Sequence, residues 1–255
     1  MIARWFTPKA PDPAHQMAAA QRAFAGGRAA EAIAIWLPLA HAGVARAQNN
    51  IGACLIDGAG VAADPVTGAQ WLRAAAQNGD RLGQRNYASA WFKGQGVAPD
   101  EAEAASWYRK AAEQGDAEAQ DMLSWMLCDS EGIVHDHIEA MRWALAAAGQ
   151  GIAPAMTRIG MLYHNAFGVA RDPAQAVAWW RKAAAAGDAD GEAMLGAAHL
   201  LGAGAARDLV TALVHLIRAR RSGSLLAENY HNAARAQMLP AQIEEAEALA
   251  REPGR

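Results

Sequence analysis

Apolar side chains return along this chain at helical intervals. Ala47, Ile51 and Leu55 form one stripe, and Ala155, Ile159, Leu162 and Tyr163 another, with polar residues filling the intervening turns. Each stripe runs for about 14 residues and closes on a Gly-x-Gly-Val-like stretch, such as Gly58-Ala59-Gly60-Val61 or Gly94-Gln95-Gly96-Val97. Glycine there can take the left-handed conformation that ends a helix. An aspartate four residues beyond the second glycine is placed to cap a following helix, with proline at its first position in Asp64-Pro65 and Asp172-Pro173. Asp100 with Glu103, Asp136 with Glu139 and Asp172 with Gln175 have the spacing of a capping box. No stretch carries the two-residue period of a strand. The predicted unit is therefore a pair of helices, A and B, joined by a glycine loop.

This unit recurs. Gly43, Gly79, Gly115, Gly151, Gly187 and Gly223 are spaced by 36 residues, and so are Gly60, Gly96, Gly132, Gly168 and Gly204. Asp64, Asp100, Asp136, Asp172 and Asp208 keep the same step, as do Trp71, Trp107, Trp143 and Trp179, with His215 in the fifth copy. A lone hairpin cannot bury its apolar face, so the copies must stack. The expected organisation is a leader over 1–13, a helix pair over 14–43 and repeats at 44–79, 80–115, 116–151, 152–187 and 188–223, followed by a helical cap over 224–255. The pair at 14–43 holds Phe24, the turn Gly26-Gly27 and a helix with Ala32, Ile33 and Trp36, but lacks the loop motif. In the cap, a helix from about Leu225 to Arg235 precedes an acidic one from Ala241 to Arg251, whose Glu244, Glu245 and Glu247 are expected to face solvent. The four repeat tryptophans read as packing between repeats, with Trp36 as their counterpart in the N-terminal pair and Trp5 in the leader.

Composition narrows the functions. About a quarter of the 255 residues are alanine, the strongest helix former. A net charge of −3 with no Lys/Arg block argues against nucleic acid and anionic lipid as partners. No stretch approaches the roughly 18 apolar residues of a spanning helix, and the opening residues are too short for a signal-peptide core. Cys54 and Cys128 are too few for a disulfide framework, which suits a reducing compartment, so a cytoplasmic location is expected. The motifs of zinc proteases, serine hydrolases and phosphate-binding loops are missing. Gly58-Ala59-Gly60 and Gly202-Ala203-Gly204 follow no strand and read as hairpin turns. His135-Asp136-His137 is the densest group of ligand-type residues, but Asp136 already has a capping role, so neither metal nor cofactor is expected.

The repeat resembles the Sel-one-like repeat family, a branch of the tetratricopeptide-like helical repeats. Its pattern is met by Ala155, Ile159-Gly160, Tyr163, Gly168-Val169, Asp172, Ala176, Trp179, Lys182-Ala183-Ala184 and Gly187, and in the second copy by Tyr87-Ala88, Gly94, Gly96-Val97, Asp100, Trp107, Lys110-Ala111-Ala112 and Gly115. The third copy departs at Ser130, and the fifth lacks the loop valine and the tryptophan. The resemblance implies an all-α, right-handed α-α superhelix, a solenoid that binds protein partners as a scaffold and catalyses nothing. The alternative is an enzyme of the penicillin-binding or hydrolysing type suggested for cysteine-rich secreted relatives, whose cysteine pairs this chain lacks.

The family register implies that helix A of each repeat lines the concave face. It places Phe92, Trp125 and Met161 there as an apolar strip, with Arg85, Asn86, Arg158 and Asn165 as a polar rim. An unidentified protein or peptide is the expected partner, and the chain is expected to be a monomer. In the competing reading Trp125 and Phe92 turn into the stack, and the inter-helix loops near Glu131 and Arg207 carry binding instead.

Overall fold

The computed structural model describes residues 12–252. They form fourteen helices and no strand: α1 (Pro13–Ala25), α2 (Ala29–His41), α3 (Ala45–Asp57), α4 (Pro65–Gln77), α5 (Arg81–Lys93), α6 (Glu101–Glu113), α7 (Ala117–Asp129), α8 (His137–Gly149), α9 (Ala153–Asn165), α10 (Pro173–Ala185), α11 (Ala189–Leu201), α12 (Leu209–Arg221), α13 (Leu226–Arg235) and α14 (Pro240–Leu249). The fold is all-α and built from helical hairpins. Two compact units meet at Asp116 and Ala117, the first holding α1 to α6 and the second α7 to α14. Asp12 caps α1 and Pro13 is already helical, so the leader ends earlier than the sequence suggests. Trp5 and the rest of the leader lie outside the described residues.

Local chemistry sets the helix ends. Asp64, Asp100, Asp136, Asp172 and Asp208 each accept a backbone N–H from the first turn of helix B, while Asp80 and Asp188 do the same for helix A. Hydrogen bonds from Thr67 and Thr211 hold the carboxyls of Asp64 and Asp208 below the usual range. The reciprocal half of the capping box is replaced in α8, where the Glu139 carboxylate accepts from Trp143 Nε1 at 3.1 Å and pairs with Arg142. Gly58 and Gly94 close their A helices in the left-handed conformation, and so does Ala166, at φ 59°. An alanine is strained there.

In the first unit, helices A and B meet where one of them has no side chain. A Cβ on Gly52 of α3 would lie 2.8 Å from the Leu72 side chain of α4. Loop glycines make the next contact. A Cβ on Gly60 would lie 2.5 Å from Ala29 Cβ, and one on Gly96 would overlap the Pro65 carbonyl, so each loop rests on the first turn of the preceding B helix. Polar groups finish the joint. Gln48 Nε2 donates to Ala40 O and Gln84 Nε2 to Ala76 O, while Asn78 and Gln114, at the ends of α4 and α6, donate to the carbonyl oxygens of the same two glutamines. Both glutamines are buried, and each joins three helices through its two ends.

The second unit repeats these devices with exchanged sizes. Gly160 on α9 lies against the Trp180 ring, whose Nε1 donates to Thr157 O, and a Cβ on Gly196 would meet Leu216 at 2.8 Å. Ser124 takes the equivalent place on α7, where it is fully buried and donates from Oγ to Ala140 O at 2.8 Å. A Cβ on Gly168 would lie 2.7 Å from His137 and one on Gly204 would overlap the Pro173 carbonyl, as in the first unit. At the C-terminal end Arg218 donates to Leu249 O and Glu252 O, and Arg221 to Ala250 O, so α12 supplies the donors for the closing turn of α14. Glu247 differs from expectation: it is half-buried and paired with Arg235 at 2.6 Å.

The tryptophans divide differently from the sequence reading. Trp71, Trp107 and Trp179 are half-buried, and the residue after each is the deeper one: Leu72 is 2% exposed, Tyr108 3% and Trp180 1%. Trp36 lies 36 residues before Leu72 and is 2% exposed, so it belongs to this deep position and is not the counterpart of Trp71. Two of the half-buried rings, and the buried Trp143, carry cations instead. Lys110 Nζ lies 3.6 Å from the Trp107 ring centre, Lys182 Nζ 4.0 Å from that of Trp179, and Arg142 covers Trp143 where the third copy has no lysine.

Substitutions separate the two glycine roles. Gly96→Ala must move backbone and is expected to cost more than about 3 kcal/mol, whereas Gly115→Ala, with open space around its Cβ, should cost about 1–2 kcal/mol of left-handed strain. Ala166→Gly should stabilise by about 1 kcal/mol. Denaturant unfolding of the three variants measures all of this.

Candidate helix-A binding face

Adjacent A helices are tied together by polar side chains. In the first unit Asn86 Nδ2 on α5 donates to Asn49 Oδ1 on α3 at 2.8 Å, and Asn49 Nδ2 donates to Asn50 Oδ1 at 3.2 Å. In the second, Arg158 on α9 donates to both the carboxylate and the backbone carbonyl of Asp121 on α7. Asn86 and Arg158 stand 72 residues apart, two repeats, and reach back one helix in the same manner. Their role in the structure is to set the spacing of A helices.

A second set of links runs through the aspartates after the hairpin glycine. Asp80 accepts from Gly83 N and pairs with Arg46 at 2.7 Å. Asp116 is only 4% exposed and faces Arg85 at 3.4 Å and Arg81 at 3.6 Å. In the second unit Asp188 accepts from Gly191 N and from Thr157 Oγ1. Each of these aspartates thus bonds a side chain of the preceding A helix, an arginine for Asp80 and Asp116 and the Thr157 hydroxyl for Asp188.

Of the expected site residues, Arg85, Asn86 and Arg158 are thus held by intramolecular partners. Phe92 on α5 and Trp125 on α7 are half-buried, Met161 is 40% exposed, and Asn165 is exposed at the end of α9. Met161 and Trp125 share one register position on neighbouring A helices. The other copies have Ala53, Ser89 and Ala197 there.

Clefts open on the first unit. One, of about 250 Å³, is lined by Ala53, Ile56, Asn86, Ser89 and Lys93. Another, of about 290 Å³, lies against Phe24 and Trp36, whose rings are 5.4 Å apart, with Asn50, Ala53 and Leu82 around it. Sequence reasoning missed this cleft, although Phe24 was visible as a large aromatic in the N-terminal pair.

The nucleophile-type residues are quiet. Burial raises the thiol pKa of Cys54, and pushes that of Cys128 up to about 11, so neither is a thiolate at neutral pH. His135 Nε2 contacts Ser130 O at 2.9 Å, and His137 stacks on Phe167 with ring centres 4.6 Å apart. His215 pairs with Glu192 and stacks on His199. Among the described residues no three His, Cys, Asp or Glu side chains come together as metal ligands, and no helix is long and apolar enough to cross a membrane.

Arg158→Ala leaves the Asp121 carboxylate without this cation in a largely buried setting, and is expected to cost about 1–3 kcal/mol. A double-mutant cycle with Asp121→Ala should give a coupling of about 1 kcal/mol or more by chemical denaturation.

The comparisons agree with this architecture. The family model described as Sel1 repeat matches five times, at residues 45–80, 82–116, 117–152, 153–188 and 189–224. A protective antigen present in uropathogenic Escherichia coli strains, displaying an SLR fold, is similar at 30% identity and a TM-score of 0.86, over 94% of this chain and 52% of that one. This chain therefore spans about half the length of that protein. A Sel1 repeat protein from Oxalobacter formigenes is similar at 28% identity and a TM-score of 0.75, covering 92% of this chain and 98% of the other. No curated protein matches the chain. With matching repeats over most of its length, the chain belongs to the Sel1 repeat family.

Proposed function

We propose that this chain, like Sel1 repeat proteins generally, is a protein-interaction scaffold, and that it holds a peptide segment of a partner protein on the face formed by its A helices. The observation that carries this reading is the side-chain size at a single register position. The repeat is built with Ala53, Ser89 and Ala197 there, yet α7 and α9 carry Trp125 and Met161, and Met161 is 40% exposed. A large apolar side chain left partly in water, where the fold works with a small one, is the material of an interface anchor. The polar residues of the same face hold the helices at their spacing and contribute to binding by keeping the anchors in register. The two free thiols, both kept protonated by burial, suit a reducing compartment such as the cytoplasm.

Co-purification from the native cell extract tests the reading. Met161→Glu and Trp125→Ala are each expected to lower recovery of the partner by about tenfold or more, while Arg181→Glu, an exposed change on α10, leaves it intact. Equal recovery with all three folded variants would sink the assignment to the A-helix face.

A further inference from the structure

The C-terminal helix pair contains a buried histidine with no carboxylate bonded to its ring. His231 on α13 is 6% exposed, and Arg220 Nη1 of α12 lies 3.3 Å from its Nδ1 and 3.2 Å from its Nε2. Asn232 Oδ1 lies 3.3 Å from Nδ1. With the proton on Nδ1, the ring donates to Asn232 Oδ1. Arg220 Nη1, nearly equidistant from the two ring nitrogens, then lies against a neutral ring. An imidazolium sets two cations against each other at that distance.

The surroundings do not absorb a second positive charge easily. The charged groups bearing on the ring are Arg220 of α12 and Glu228 and Arg235 of α13. Glu228 already pairs with Arg220 Nε at 2.7 Å, and Arg235 is held by Glu247 of α14 at 2.6 Å. On α11, which also packs on α13, Asp190 accepts from Ser224 and Glu192 is taken by His215. Burial first, then Arg220 and Arg235, lower the pKa of His231 from its ordinary 6.5, against the opposing pull of Asn232 and Glu228.

We propose that α13 and α14 form an acid-sensitive cap, in which protonation of His231 sets its ring against the Arg220 cation and releases α13 from α12. Release uncovers Leu213 and Leu216, which share a core cluster with Ala227 and Ala234 of α13. The direction follows from linkage. The unfolded segment takes up a proton as pH falls below about 6.5, before the folded one does, so the cap is fully stable above that value and weakens below it. Each unit by which the folded pKa lies under the unfolded one multiplies opening by about tenfold.

Hydrogen exchange on the full chain at about pH 7.5 and about pH 5, corrected for intrinsic rates, reads the opening of α13 directly. The expected result is a loss of α13 protection in acid, with the helices of the first unit unaffected. His231→Gln should remove that dependence. Arg220→Gln should let the ring titrate closer to 6.5, as followed by NMR, and shrink the acid effect; it decides the matter if His231→Gln fails to fold. Equal α13 protection at both pH values, an unchanged acid effect in the glutamine variant of His231, or a wild-type ring titrating at or above 6.5 would each overturn the proposal.

Discussion

The structure depends on contacts at which no side chain fits. In both units the loop glycine of one hairpin rests on the opening turn of the preceding B helix, Gly60 on Ala29, Gly96 on Pro65, Gly168 on His137 and Gly204 on Pro173. A methyl group at any of these places meets backbone or closely packed atoms. The helix pairs are joined in the same way where Gly52, Gly160 and Gly196 face Leu72, Trp180 and Leu216. Close backbone approach fixes the step from one hairpin to the next, and the helix caps and buried glutamines work within that step.

The fixed step has a consequence for the A-helix face. Within each unit, neighbouring A helices are held by polar groups aimed from one to the next, Asn86 to Asn49, Arg158 to Asp121 and Arg46 to Asp80. These bonds occupy the charged and amide groups that would otherwise be free to recognise a ligand. Large apolar residues that the repeat does not need stand beside them, Phe92 in the first unit and Trp125 and Met161 in the second. The same division holds on the B helices, where Lys110 and Lys182 lie over half-buried tryptophans while the neighbouring residue fills the core.

Most of the fold was legible because its signals are local. Glycine at a left-handed turn, aspartate at a cap and proline in the first helical turn act within a few residues, and a 36-residue period repeats them. Two kinds of detail were not legible. The first is rotation: Trp71 and Leu72 are one residue apart, which turns the side chain by about 100°, and residue type favoured the tryptophan as core. Trp36 was misplaced for the same reason, although its spacing to Leu72 was countable. The second is pairing across repeats. Arg85, Asn86 and Arg158 read as a polar rim because their partners Asp116, Asn49 and Asp121 lie a full hairpin away, beyond any local pattern. Ser130 and Ala166, which interrupt the loop motif, show how far the pattern can slip: Ala166 still takes the left-handed turn, under strain.

The central claim is that this scaffold meets its partner through the large apolar residues of the A helices. Site-specific photo-crosslinking in the native cell tests it most directly, with a photoreactive residue placed at position 161 on α9 and, separately, at position 181 on α10. The account predicts a discrete crosslinked protein from position 161 and none from position 181. A crosslink confined to position 181, or equal yields from both, would contradict it.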